Sequence, residues 1–209
     1  MSAHALLSVR GLSKVFGAGC PHCAERTGPE SNTNICPMCG AVVACHDISF
    51  DIHNDEVLGI VGESGSGKST VLRLLHFDWE ASSGQMMLHA NGCRGADAES
   101  AEQLNSLNGV NLLALSSYRQ RMLRNRLMGI VFQNPHLGLK LHISAGGNIA
   151  ERLLSAGRRN VAEIRQRAGL LLEKTEVPRQ RMDEPPRNFS GGMQQRVQIA
   201  KAISNNPLV

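Results

Sequence analysis

The sequence predicts an α/β protein, and three observations predict it. A glycine-rich stretch, Gly62-Glu63-Ser64-Gly65-Ser66-Gly67-Lys68-Ser69-Thr70, sits between the apolar run Val57-Leu58-Gly59-Ile60-Val61 and the helix-like Val71-Leu72-Arg73-Leu74-Leu75. Aromatic residues are only 3% of the 209, while Gly, Ala, Leu and Ile are plentiful, a composition that suits strands alternating with helices. Strand-period segments dominate before residue 90 and helix-period segments after 140.

In chain order, Leu6-Leu7-Ser8-Val9-Arg10 reads as an opening strand and Lys14-Val15-Phe16 leads into a loop. A cysteine-bearing segment, residues 20–40, interrupts the connection. Asp47-Ile48-Ser49-Phe50-Asp51-Ile52 alternates polar and apolar as a half-buried strand does, and His53-Asn54-Asp55-Glu56 makes a turn whose Asn and Asp tolerate left-handed backbone. Residues 57–61 then read as a buried strand, followed by the glycine-rich loop and its helix. Gly84-Gln85-Met86-Met87-Leu88 is a further strand, and residues 91–111 read as a surface insertion. A basic helix is expected over 117–125 and a strand over 127–132, ending at Gln133. Residues 143–176 carry helical patterns, notably 149–154 and 162–173. Residues 177–188 form a proline-interrupted linker, and a last amphipathic helix over 191–204 stops at Asn205-Asn206-Pro207.

A loop of this kind in this strand and helix context binds phosphate. Its glycines let successive N–H groups turn inward, and the following helix adds the positive end of its dipole. Lys68 reaches the β- and γ-phosphates, the Ser69 hydroxyl is the expected Mg²⁺ ligand, and Thr70 donates to the α-phosphate. The ligands expected are therefore a nucleotide and Mg²⁺.

Of the six cysteines, four form Cys20-Pro21-His22-Cys23 and Cys36-Pro37-Met38-Cys39, with residues 24–35 between the pairs. In a reducing compartment such spacing reads as metal ligation before disulfides. Cys20, Cys23, Cys36 and Cys39 together supply a closed tetrahedral four-thiolate site, with Gly40 where the turn leaves the metal, and such a site leaves no position for water or substrate. Structural Zn²⁺ fits best. Iron in a rubredoxin-like site and redox-active dithiols are the alternatives, with His22, Cys45 or His46 as substitute ligands. Cys93 reads as a small apolar residue or a free thiol.

Formal net charge is +4, too weak a balance to imply nucleic acid. Arg119, Arg121 and Arg124 read as a solvated face, with an acidic partner or nucleic acid as the alternative. No apolar stretch approaches the ~20 residues of a membrane span, and Met1-Ser2-Ala3-His4 opens no signal peptide. The expected setting is cytoplasmic, without membrane insertion.

A second motif is Phe189-Ser190-Gly191-Gly192-Met193-Gln194-Gln195-Arg196, running on into Val197-Gln198-Ile199-Ala200. Ser190 can cap a helix whose paired glycines let an anion approach closely. Together with the phosphate loop and Gln133, this set resembles the ATP-binding cassette (ABC) ATPases. The resemblance implies a P-loop NTPase of the ABC type, with a helical subdomain and an inserted zinc-ribbon-like segment carrying the four cysteines. It divides the chain into a nucleotide-binding core at 1–19 and 41–133, the metal insertion at 20–40, a helical subdomain at 134–189 and the signature segment at 190–209.

Residue by residue, the resemblance makes Gly62, Ser64, Gly65, Ser66, Gly67, Lys68, Ser69 and Thr70 the Walker A loop. Gln133 becomes the glutamine that senses Mg²⁺ and the γ-phosphate, and Ser190, Gly191, Gly192 and Gln194 the signature motif. Phe16 stands where the family places an aromatic ring against adenine. Lys68, Gln133 and Ser190 are the expected catalytic positions, with Ser69 and Gln133 serving Mg²⁺. The family's unit is a head-to-tail homodimer that holds ATP between one subunit's phosphate loop and the other's signature helix.

Within the family, Ile143-Ser144-Ala145-Gly146-Gly147-Asn148-Ile149-Ala150-Glu151-Arg152-Leu153 and residues 190–200 are similar to the ATP-binding subunits of bacterial carbon-phosphorus lyase systems for phosphonate breakdown. Those subunits dock on a soluble lyase core, and Met193 stands where most importers have Gln. The family continues past a position like Val209 into a Walker B strand with its Mg²⁺-holding aspartate and general-base glutamate. The chain therefore reads as a fragment truncated before Walker B, not itself competent for hydrolysis. The alternatives are an ATPase of a peptide or related importer, and a nucleotide-gated docking module without turnover. On this reading, replacing Cys36 and Cys39 with Ser is expected to remove metal while leaving nucleotide binding largely intact.

Overall fold

The computed structural model describes residues 5–89 and 105–209. Most of the expected surface insertion, the Cys93 assignment and the N-terminal Met1-Ser2-Ala3-His4 lie outside the described residues. The chain divides into two compact units, Met1–Gln120 and Arg121–Val209.

The first unit is built on an antiparallel sheet in the order β2-β1-β3, from β1 (Ala5–Phe16), β2 (Val42–His53) and β3 (Ser83–Leu88). β1 is central, so its apolar residues are covered: Leu7, Val9 and Leu12 are fully buried, with Met86 of β3 and Leu74 of α1 (Lys68–Leu75) in the same core. The opening strand runs longer than its apolar run because pairing with β2 continues through Lys14↔Cys45, Val15↔Val43 and Phe16↔Val42. The turn after β2 forms as expected, with Asp55 at φ 59°.

Residues 57–61, expected as a buried strand, form no strand: Val57 and Val61 are 96% and 92% exposed. A strand exists only where a neighbour accepts its ladder bonds, and none of the described residues pairs with this run. Residues 127–132 likewise give no strand. Leu127 closes α2 (Ser117–Leu127), and the following residues make only the beginnings of a pairing, with Gly129 N–H donating to the Val209 carbonyl at 2.8 Å and Leu208 N–H to that of Leu127 at 2.8 Å.

The second unit is helical: α3 (Ala145–Ser155), α4 (Val161–Lys174) and α5 (Gly191–Ala202). Each start is written locally, since Ser144 Oγ accepts from Gly147 N–H, Asn160 Oδ1 from Ala162 and Glu163 N–H, and Ser190 Oγ from Met193 N–H. Ile149, Leu153, Ile164, Ala168, Leu172, Val177, Val197 and Ala200 are the shared core. The linker at 177–188 contains two short 3-10 turns, Arg179–Arg181 and Pro186–Asn188. No helix among the described residues is long and apolar enough to cross a membrane.

Candidate functional site: the phosphate loop, the capped helix and the thiol cluster

The phosphate loop turns on glycines in backbone that side chains resist: Gly62 has φ 155°, Gly65 φ 85° and Gly67 φ 89°. Gly67 is the N-cap of α1, so Ser69 and Thr70 lie in the first turn and the N–H groups there have no intrahelical acceptor. The Lys68 ammonium folds back over the loop, donating to the carbonyl oxygens of Gly62 (2.8 Å) and Glu63 (2.5 Å) and to Ser66 Oγ (3.3 Å). The lysine therefore closes an exposed ring of backbone around itself. Any anion reaching this ammonium has to compete with those carbonyls.

Phe16, at the end of β1, is partly exposed. Its ring meets that of Trp79 edge-on at 5.3 Å, and the Lys14 ammonium lies 5.0 Å from its centroid. Arg73 in turn covers Trp79 at 4.6 Å. Trp79 carried no motif signal. It braces the ring expected to receive the base, and as the chain's single tryptophan it reports on it.

In the second unit, α5 begins with an open N-terminus. A Cβ at either Gly191 or Gly192 would meet nothing within 4 Å among the described residues, so local crowding does not demand these glycines. Gln194, expected beside the nucleotide, is buried here, and its amide donates to the carbonyls of Pro186 (3.0 Å) and Phe189 (3.3 Å). It holds the segment entering the helix and does not face the open end.

Gln133 is exposed and follows Phe132, whose backbone is held by a residue that sequence reasoning missed. Gln198 of α5 is 1% exposed; oriented as its neighbours require, its amide donates to the Phe132 carbonyl at 2.9 Å and accepts from the Phe132 N–H at 3.1 Å. A polar residue at a core position of an amphipathic helix was the available signal. Gln198→Leu keeps the volume but leaves the Phe132 N–H and carbonyl without their side-chain partner. It is expected to lower stability by about 2 kcal/mol in chemical denaturation, and a change under about 0.5 kcal/mol rules the role out. Asn148 does similar work nearby: its side chain accepts from Lys140 N–H and faces the carbonyls of Lys140, Ile143 and Ser144 at 3.0 to 3.1 Å.

The four expected ligand cysteines are gathered by the fold, all four Sγ atoms lying within 4.8 Å of one another. The pairs Cys20–Cys23 and Cys20–Cys36 are 3.7 Å apart and Cys23–Cys39 is 3.4 Å. Sulfurs tetrahedral around Zn²⁺ at ~2.3 Å sit ~3.8 Å apart, so the residues fit that ion. Gly40, at φ 72°, turns the chain so that its N–H donates to the Cys36 carbonyl at 2.8 Å. The Ala41 N–H beside Cys39 lowers that thiol's pKa to about 6, while burial pushes Cys23 up to about 12. Metal binding needs the thiolate form of both. Among the named substitutes, His22 pairs with Glu25 at 3.2 Å and Cys45 lies buried in β2, and neither belongs to the cluster.

Comparison with known proteins bears on the same features. The sequence profile of the ABC transporter family matches residues 45–209. The putative phosphonates utilization ATP-binding protein PhnK of Escherichia coli (strain K12) is 40% identical over 161 residues, 77% of this chain and 56% of the relative. The oligopeptide transport ATP-binding protein OppF of Bacillus subtilis (strain 168) is 33% identical over 169 residues, 80% of this chain and 49% of the relative. The lipoprotein-releasing system ATP-binding protein LolD of Pseudomonas fluorescens is 35% identical over 207 residues, 99% of this chain and 73% of the relative. This chain thus spans about half the length of the first two. Among solved structures, the dimeric post-hydrolysis cassette MJ0796 bound to ADP and Pi superposes with a TM-score of 0.70 at 23% identity, covering 96% of this chain and 70% of that one. At that identity the likeness concerns the fold.

Proposed function

Because the chain belongs to the ABC transporter family, we propose that it binds MgATP through residues 62–70 as the ATP-binding part of a cytoplasmic ATPase serving a carbon-phosphorus lyase system for phosphonate breakdown. The observation that carries the nucleotide reading is the loop itself: Lys68 is held at the centre of a ring of backbone at the N-terminus of α1. Phe16 takes the adenine ring and Ser69 the Mg²⁺ ion, with Gln133 carried over as the family's sensing glutamine. Ser190, Gly191 and Gly192 take the γ-phosphate of a nucleotide bound to a second copy. Mg²⁺ supplies neutralisation of the phosphate charge, and the residues named supply its position. Support for a head-to-tail dimer comes from the open, uncrowded N-terminus of α5 and from the dimeric state of the solved cassette.

The phosphonate assignment is favoured by 40% identity to the phosphonate-utilization relative, against 31–35% for the peptide and lipoprotein ones. The thiol cluster is assigned to Zn²⁺ in a structural role, on the close approach of its four sulfurs. Affinity purification from cells grown on a phosphonate should bring down a soluble lyase core with the ATPase. Recovery of a membrane permease in its place selects the importer reading, and stable docking without ATP turnover selects the gated module.

A further inference from the structure

The thiol cluster and the nucleotide site are built on the same two strands. β1 ends at Phe16 and passes through Gly17-Ala18-Gly19 to Cys20, and β2 begins at Val42, three residues after Cys39. The last rungs of their ladder, Val15↔Val43 and Phe16↔Val42, therefore lie at the end that the two cysteine pairs close.

The closure is a packed one. Cys23, Cys36 and Ala41 form a small core against which Val15, Cys20 and Val43 pack. Val43 N–H donates to the Asn34 carbonyl at 2.8 Å, and Ile35 bridges to Val42.

Two parts of the nucleotide site lie on or next to these rungs. Phe16 is itself one of them. The other part is Gly67: a Cβ placed there would overlap the carbonyl oxygen of Ala44, the residue after Val43, so the N-cap of α1 rests directly on β2. In addition, residues 27–29 and 32–34 of the cysteine segment line one cleft of about 1130 Å³ together with residues 62–66 of the phosphate loop.

We propose that Cys20, Cys23, Cys36 and Cys39 are positioning residues for the nucleotide: a bound metal holds the end of the β1–β2 ladder, and through Phe16 and Ala44 it holds the base-stacking ring and the cap of the phosphate-binding helix. The inference rests on the nucleotide reading above. A segment of some twenty residues with so few buried apolar side chains needs its metal to stay ordered. Without it the ladder end opens, and nucleotide binding must first reorder Phe16 and the loop. Metal and nucleotide then raise each other's affinity by one shared factor, as linkage requires. On this proposal the double substitution, expected from the sequence alone to leave nucleotide binding largely intact, weakens it.

The test uses the full 209-residue chain, with MgATP binding followed by calorimetry and by the fluorescence of Trp79. Zinc-loaded, chelator-stripped and zinc-reloaded preparations are compared with Cys36→Ser/Cys39→Ser. Stripping and the double substitution are expected to weaken MgATP binding about tenfold, within the range typical of coupled sites, and reloading to restore it in the unsubstituted chain alone. Competition with a chromophoric chelator should show zinc held about tenfold more tightly at saturating MgATP, which a metal uncoupled from the nucleotide could not produce. Equal MgATP affinity with and without zinc overturns the proposal, as does zinc affinity indifferent to MgATP. Loss of the helical circular-dichroism signal on stripping also overturns it, since the metal would then hold the whole chain and not the ladder end. Failure of the zinc-loaded chain to bind MgATP at all is a distinct result, which removes the nucleotide reading and the linkage with it.

Discussion

Gly67→Ala should abolish useful MgATP binding, weakening it by about a hundredfold or more. Two costs combine. At φ 89° an alanine is strained by roughly 1–3 kcal/mol, and its methyl group would enter the space of the Ala44 carbonyl, which belongs to a paired strand and cannot move aside cheaply. Relief requires α1 to draw back from β2, which misaims the first-turn N–H groups that receive phosphate. About 3 kcal/mol in total corresponds to roughly a hundredfold in affinity. Titration with MgATP, read at Trp79, checks it; an affinity within about threefold of the unsubstituted chain would show that the cap does not rest on the strand. Gly65→Ala provides the contrast. Its φ is similar at 85°, yet a Cβ there meets nothing within 4 Å among the described residues, so it should suffer the strain without the collision and lose less.

Lys68→Ala is the second large effect. The ammonium makes three contacts to its own loop, and on the proposed reading the same three donors serve the β- and γ-phosphates. Losing two such charge-assisted bonds to phosphate is worth about 3 kcal/mol, again near a hundredfold. Thermal stability should change little, because the half-buried side chain makes its hydrogen bonds within its own loop. Lys68→Arg is not expected to rescue, since a planar fork cannot enter a ring shaped around a compact ammonium. Tight MgATP binding by Lys68→Ala would contradict the nucleotide assignment as a whole.

How much of this was legible beforehand can be followed in particular residues. Ser144, Asn160 and Ser190 each cap the helix that their sequence position suggests, because a cap is a contact between residues two or three apart. The left-handed turns at Gly65 and Gly67 are equally local. The Cys-x-x-Cys pairs announced a cluster for the same reason, each pair being preset by its own short turn. Residues 57–61 misled, since an apolar run states only what it can bury against and not whether a neighbour is there to receive it. The 127–132 run failed in the same way, its first residue absorbed by α2 and only its edge meeting Leu208 and Val209. Gln198 and Asn148 looked like ordinary polar residues on helices until the fold buried them against specific backbone groups.

The chain's own sequence determined the chemistry: a lysine in a ring of glycines for phosphate, a serine-capped helix with open glycines, and four thiols in two turns. Those depend on backbone geometry and donors within a few residues of each other. Only the tertiary structure decided that Ala44 supports Gly67 and that Trp79 braces Phe16. Such contacts join segments far apart in the chain, and their geometry is fixed by the register of the whole β1–β2 ladder, which no short stretch of residues carries by itself.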